Sequence, residues 1–172
     1  VMDNHVYGLT KGQASPRSDL GFQTVTSPEG TIENPISAIG LALASGATFI
    51  AQTTARDIQG AAELIRQGME HKGFAFINIF SPCVTYNPKN TYDWFAEHIK
   101  PLAEIEGYDP SNKMHALDAL EKYDGLMTGV IYQDTTQKDY QAKLTHSLAT
   151  PLTELSLELD KDVFETWKKS YM

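Results

Sequence analysis

Two short apolar runs, ATFIAQT at residues 47–53 and FAFINIF at 74–80, flank a segment with helical spacing, and few folds accommodate that order. Between them, Ile58, Ala61, Ala62, Ile65 and Met69 recur near the helical period, and Gly73 closes the segment. A strand, a helix and a second strand in succession predict a right-handed crossover and parallel strands. FAFINIF has no polar alternation and reads as a strand buried on both faces. The pattern continues in both directions. ENPISAIGLALASGA predicts a helix with Asn34 as cap, Pro35 at its first position and Gly46 as its stop. A further helix starts near Thr91, includes Tyr92, Trp94, Phe95 and Ile99, and is interrupted at Pro101. DPSNKMHALDALEKYDG predicts another, capped by Asp109 with Pro110 at its first position, and LMTGVIYQ a strand. TTQKDYQAKLTHSL reads as helical. So does LDKDVFETWKKSYM, whose early aspartates and late lysines suit a helix dipole. The fold class is α/β, a mostly parallel sheet flanked by helices.

The chain has 172 residues, enough for one domain with its own core. Its formal net charge of -8 argues against non-specific nucleic-acid binding, which requires a basic surface. No apolar run approaches the roughly 20 residues that cross a bilayer, so no membrane contact is expected. One cysteine, Cys83, excludes an internal disulfide and suits a reducing, cytoplasmic setting. The opening VMDNHVYG reads as the end of a buried strand and the loop that leaves it, and is not expected to be the start of a protein.

Ligands of open parallel sheets bind beyond the carboxyl ends of the strands. Two loops fit that place, residues 3–18 and 81–90. Asn4 directly follows a strand end. Its amide oxygen and the Val6 carbonyl are hard donors of the kind magnesium takes when it shares its shell with phosphates. The plainer reading of Asn4 is a turn residue that bonds its own backbone.

The stretch DNHVYGLTKGQASP resembles the thiamine-diphosphate loop in the β subunit of 2-oxoacid:ferredoxin oxidoreductases. NPISAIGLALASGATFIAQ and HKGFAFINIFSPCVTYN extend the likeness to about Asn90. The resemblance implies that residues 1–172 are part of a thiamine-diphosphate-binding domain. Residues 1–90 would form its cofactor-loop and sheet region, and 91–172 a helical and strand extension. It implies Asn4 and Val6 as Mg2+ ligands, and Asn4, Val6, Tyr7, Gly8, Leu9 and Thr10 as cofactor-binding residues. The family's Gly-Asp-Gly motif lies upstream of this loop and is not in the chain. Arg17 stands where the pattern carries Thr.

In that family the Cys of SPC gives one thiolate to a 4Fe-4S cluster, and the N-terminal part of the same polypeptide gives the other three ligands. Cys83 takes that place here; otherwise it is a small buried hydrophobe. Lys11 resembles the lysine of members that act on 2-oxoglutarate, where it can meet the distal carboxylate. Its other reading is a solvated surface lysine. The implied activity is oxidative decarboxylation of a 2-oxoacid with coenzyme A to an acyl-CoA and CO2, reducing ferredoxin, together with an α subunit. No catalytic base is identified in this chain. His5, His98, His115 and His146 lack metal-ligand spacing, and Tyr92, Trp94 and Phe95 read as core or as contacts between subunits. The alternatives are a thiamine-diphosphate enzyme without a cluster, or a structural piece inactive alone.

Overall fold

The computed structural model describes residues 1–144, 152–154, 158 and 160–171. They fall into two compact units, Val1–Asp139 and Tyr140–Met172. The first unit is built on a five-stranded sheet in the order β1-β3-β2-β5-β4. The strands are β1 (Met2–Asp3), β2 (Phe49–Thr54), β3 (Ala75–Phe80), β4 (Lys100–Pro101) and β5 (Met127–Gln133). Three of the four pairings are parallel, as the alternating pattern predicts, and β2 with β5 is antiparallel. The excursion from residue 81 to 126 explains that exception. It leaves from the carboxyl end of β3 and returns at the same end of the sheet, so β5 runs back along β2.

Helices cover both faces. On one, Ile39 and Leu43 of α1 (Ala38–Ala44) and Ala116 and Ala119 of α4 (Lys113–Lys122) pack on Ile50, Met127 and Ile131. On the other, Leu64 of α2 (Ile58–Glu70) packs on Phe49 and Ala51. Strand β2 is therefore enclosed from both sides. Burying each of its large apolar side chains contributes about 1.5–3 kcal/mol. The expectation of two buried faces fits β2 better than β3, where Asn78 and Phe80 are buried and the rest are partly exposed.

Three local expectations are corrected. The α2 core face is Leu64 and Gly68; Ile58, Ile65 and Met69 lie on a neighbouring, exposed stripe. Helix α1 is capped by Ser37, whose Oγ accepts from Gly40 N at 3.0 Å, and not by Asn34. The reason is that Ile36 N donates to Pro16 O (2.8 Å) and Ile36 O accepts from Arg17, so the residues after Pro35 serve the loop. Helix α4 is capped by Asn112, because Asp109 folds its carboxylate onto Ser111 and Pro110 O accepts from Gln133 N at 2.8 Å. Thr91 does cap α3 (Tyr92–His98), which ends before Pro101.

In the second unit, α5 (Tyr140–Lys143) covers part of the helix expected over 135–148. Residues 145–148, with His146, lie outside the described residues. The α6 helix (Lys161–Lys169) has Asp160 as cap, Asp162 in its first turn and Lys168 and Lys169 in its last, as the charge order predicts. Among the described residues no helix is long and apolar enough to cross a membrane.

Candidate functional site

Asp3 of β1 pairs with Phe80 of β3, and Ser81 N extends the ladder to Asp3 O at 2.7 Å. The loops that leave these two parallel strands therefore emerge side by side. In the first, Asn4 Oδ1 accepts from Val6 N at 3.2 Å, and Val6 O accepts from Gly8 N at 3.1 Å. Asn4 thus makes the turn bond of the plainer reading. That bond leaves an amide lone pair on Oδ1, so both oxygens retain capacity for a cation. Tyr7 N donates to Gln13 O, and Gly12 N to Tyr7 O, each at 2.9 Å, closing a small hairpin. The Thr10 hydroxyl donates to Gln13 Oε1 at 2.5 Å. Three residues here take the left-handed backbone region, His5 (φ 57), Lys11 (φ 74) and Gly12 (φ 99). At Gly12 a side chain is also barred by space, since a Cβ would lie 2.8 Å from the Tyr86 ring.

The second loop is held by buried amides. Asn87 N donates to Cys83 O at 2.8 Å. Asn87 Oδ1 accepts from Lys89 N and Asn90 N, and its Nδ2 donates to Asn90 Oδ1 at 2.9 Å and faces Asn4 O at 3.5 Å. Lys89 Nζ meets Asp19 Oδ2 at 2.6 Å. Cys83 is a half-buried free thiol. Its Sγ would lie 3.0 Å from a Cβ at Gly8, and the Asn4 amide nitrogen 3.7 Å from the same point. The two loops are in contact at Gly8 and again at Gly12.

Asn4, Val6, Tyr7, Gly8, Leu9 and Thr10 all line one open pocket of about 490 Å3. Lys11 is exposed and not in that lining. Among the described residues no three His, Cys, Asp or Glu side chains gather as a metal site. The chain thus offers Asn4 Oδ1 and Val6 O as two hard oxygens and Cys83 Sγ as one soft donor. Those donor types are ones that a magnesium–diphosphate shell and a 4Fe-4S cluster would each take.

Sequence reasoning missed a chain of polar side chains behind the first loop. Asp3 is buried, with Arg17 Nε at 2.9 Å from its Oδ2. Burial alone raises the Asp3 pKa. The His5 ring and the Arg17 charge lower it by more, and the carboxyl is held far below the usual range. Arg17 is the true partner, because His5 Nε2 stands off at 3.6 Å, beyond hydrogen-bond distance. Asn78 Nδ2 faces Asp3 Oδ2 at 3.3 Å and donates to Gln52 Oε1 at 2.9 Å. Gln52 Nε2 reaches the carbonyls of Gly125 and Met127, each at 2.7 Å. The signal was present, since Asn78 and Gln52 interrupt otherwise apolar strands, and a buried amide requires partners.

Known proteins resemble this chain in sequence and in fold. Residues 1–79 match the family described as thiamine pyrophosphate enzyme, C-terminal TPP binding domain. Residues 83–147 match the family described as the C-terminal part of the pyruvate ferredoxin oxidoreductase beta subunit. A 2-oxoacid:ferredoxin oxidoreductase subunit beta of a Sulfolobus species is 37% identical over 152 residues, covering 83% of this chain and 50% of that protein. The chain belongs to the 2-oxoacid:ferredoxin oxidoreductase β-subunit family. Within this family, the 2-oxoglutarate synthase subunit KorB of Methanocaldococcus jannaschii is 37% identical over 131 residues, covering 76% of this chain and 46% of its own length. A solved 2-oxoglutarate:ferredoxin oxidoreductase from Magnetococcus marinus, with 2-oxoglutarate, coenzyme A and succinyl-CoA bound, superposes with a TM-score of 0.74 at 39% identity. That match covers 80% of this chain and 47% of the other. The chain spans about half the length of the curated relatives it matches. The gap between the two family matches, residues 80–82, falls where β3 ends and the cysteine loop begins.

Proposed function

We propose that this chain forms the cofactor-loop part of an enzyme that oxidatively decarboxylates a 2-oxoacid with coenzyme A, yielding an acyl-CoA and CO2 and reducing ferredoxin. The observation that carries the reading is the meeting of Cys83 Sγ with the Asn4–Gly8 turn at the carboxyl ends of two parallel strands. Neither a turn residue nor a buried cysteine requires the other; a cofactor beside an electron exit requires both. In this reading Asn4 Oδ1 and Val6 O would hold Mg2+, whose charge would favour a bound diphosphate. Tyr7, Gly8, Leu9 and Thr10 wall the pocket. Bound there, thiamine diphosphate supplies the nucleophilic carbon and the electron sink. Cys83 would supply one ligand to a 4Fe-4S cluster, a group that carries single electrons. A reducing, cytoplasmic setting and a partner α subunit belong to the same proposal.

2-Oxoglutarate is the proposed substrate. The KorB relatives carry its name, and the M. marinus neighbour is described with it bound. Lys11 is the residue that would meet its distal carboxylate. Among the described residues no carboxylate pairs with Lys11, so its ammonium is available.

The test is a titration of thiamine diphosphate with Mg2+ into the complete enzyme and its Asn4→Ala variant. Loss of one metal ligand is expected to weaken affinity by roughly tenfold to a hundredfold. An unchanged affinity returns Asn4 to its turn.

A further inference from the structure

We propose that Arg17 is a positioning residue for the cofactor loop, fixing the main chain on both sides of Asn4. The proposal rests on the reading of residues 4–10 as that loop. Arginine is purely a donor, and its planar fork fixes direction as well as charge. Here one guanidinium serves three partners from three places. Nε donates to the buried Asp3 carboxylate at 2.9 Å, immediately before Asn4. Nη2 donates to His5 Nε2 at 3.2 Å, immediately after it. Nη1 donates to the Ile36 carbonyl, just ahead of α1. Because arginine cannot accept, His5 Nε2 is the acceptor in this contact, and Nδ1 lies 3.8 Å from Asp19 Oδ1, beyond hydrogen-bond distance. Arg17 is itself tied in, since Pro16 O accepts from Ile36 N.

These contacts connect the metal turn to fixed parts of the fold. From Asp3 the chain of amides runs through Asn78 and Gln52 to the β5 backbone, across the centre of the sheet. Among the described residues His5 makes no hydrogen bond onward from Nδ1, and the first loop is tied to the cysteine loop separately, through Asp19 and Lys89. Without Arg17, Asp3 would be a buried, unpaired carboxylate, and His5, held at φ 57, would lose its tie. Asn4 sits between the two. A lysine could neutralise Asp3 as a point charge but could not reach His5 and Ile36 as well.

The test uses the complete enzyme and separates positioning from simple charge neutralisation. The variants are Arg17→Lys, Arg17→Met and the double Asp3→Asn/Arg17→Met. The readouts are melting temperature, thiamine diphosphate–Mg2+ affinity, and hydrogen-exchange protection of the Tyr7 and Gly12 amides without cofactor. Arg17→Met is expected to lower the melting temperature, protection and affinity, the last by roughly tenfold to a hundredfold. The double variant removes the orphaned charge, so its melting temperature recovers while protection and affinity stay low. Arg17→Lys keeps the fold and shows the same two losses in smaller measure. Full recovery of all three readouts in the double variant overturns the proposal, because Arg17 would then only neutralise Asp3. Unchanged protection and affinity in Arg17→Met or Arg17→Lys overturns it as well. If the unmodified enzyme binds no thiamine diphosphate, the functional reading fails, and the protection measurement still decides the role of Arg17.

Discussion

The loop that follows β1 and the loop that follows β3 leave neighbouring strands at the same level of the sheet, yet they are held in opposite ways. Residues 3–18 are anchored by an ion pair at the root, Asp3 with Arg17, and their tip is open, with Leu9 99% exposed. Residues 81–90 are anchored by neutral amides, with Asn87 0% and Asn90 1% exposed. Charge at the root and an open rim suit a loop that accepts a charged, partly hydrated ligand, since the walls stay accessible to water until the ligand arrives. The Asn87 and Asn90 side chains bond to each other and to the loop's own main chain, which suits a rigid template, because each lost bond would leave a costly orphan. The rigid loop then serves as the reference against which the open loop is set, through Tyr86 on Gly12 and Cys83 on Gly8.

Removing the cysteine is the largest way to break this contrast. Cys83→Ala in the complete enzyme is expected to abolish reduction of ferredoxin and lower the iron content, while thiamine diphosphate still binds. Deleting Sγ opens space at Gly8 rather than closing it, so the open loop keeps its shape. Iron analysis and a cofactor titration check both halves. Normal iron content with normal electron transfer would remove Cys83 from the account.

Lys11→Gly acts on the rim of the open loop alone. The lysine holds φ 74, a region glycine enters freely, so the substitution should leave the loop's path intact. If Lys11 meets the distal carboxylate of 2-oxoglutarate, losing that pair costs about 2–5 kcal/mol. The specificity constant should then fall by roughly tenfold to a thousandfold, while pyruvate or 2-oxobutyrate is affected much less. The ratio of the two substrates is the measurement. Equal losses for both mean that Lys11 supports the loop, and an unchanged ratio with full activity returns it to the solvated surface.

Gly12→Ala tests the outer point of contact. At φ 99, with the Tyr86 ring 2.8 Å from a would-be Cβ, alanine meets both backbone strain and a clash. A destabilisation of about 1–3 kcal/mol is expected in urea unfolding, with no change in iron content. A loss of iron instead would place the cluster loop's register at Tyr86 rather than at Gly8.

Most of the open loop was legible in the sequence and most of its support was not. The alternation of strand and helix led to the sheet, and the residues of the DNHVYGLTKGQ stretch are contiguous, so that they share one loop was legible as well. Asp3, His5, Arg17, Asn78 and Gln52 are scattered along the chain, with Asn78 and Asp3 75 positions apart, and only the sheet register brings them together. The cap of α1 was misplaced for the same reason. Asn34 and Pro35 are good local signals, but Ile36 is claimed by Pro16 and Arg17, nearly twenty residues away in sequence. The meeting of the two loops could not be read either, since nothing in SPC announces that its sulfur rests on Gly8.

That meeting is the centre of the account, and a double-mutant cycle between Gly8 and Cys83 tests it most directly. Unlike Gly12, Gly8 has no left-handed backbone, so the one tight neighbour an alanine meets there is the cysteine sulfur at 3.0 Å, which must shift slightly. Thiamine diphosphate–Mg2+ affinity is the quantity to measure in the complete enzyme. Gly8→Ala alone should weaken it, by about threefold to thirtyfold for a neighbour forced to shift, and should have almost no effect in the Cys83→Ala background. Equal losses in both backgrounds would mean that the sulfur and the turn do not touch, and that the two loops are separate sites.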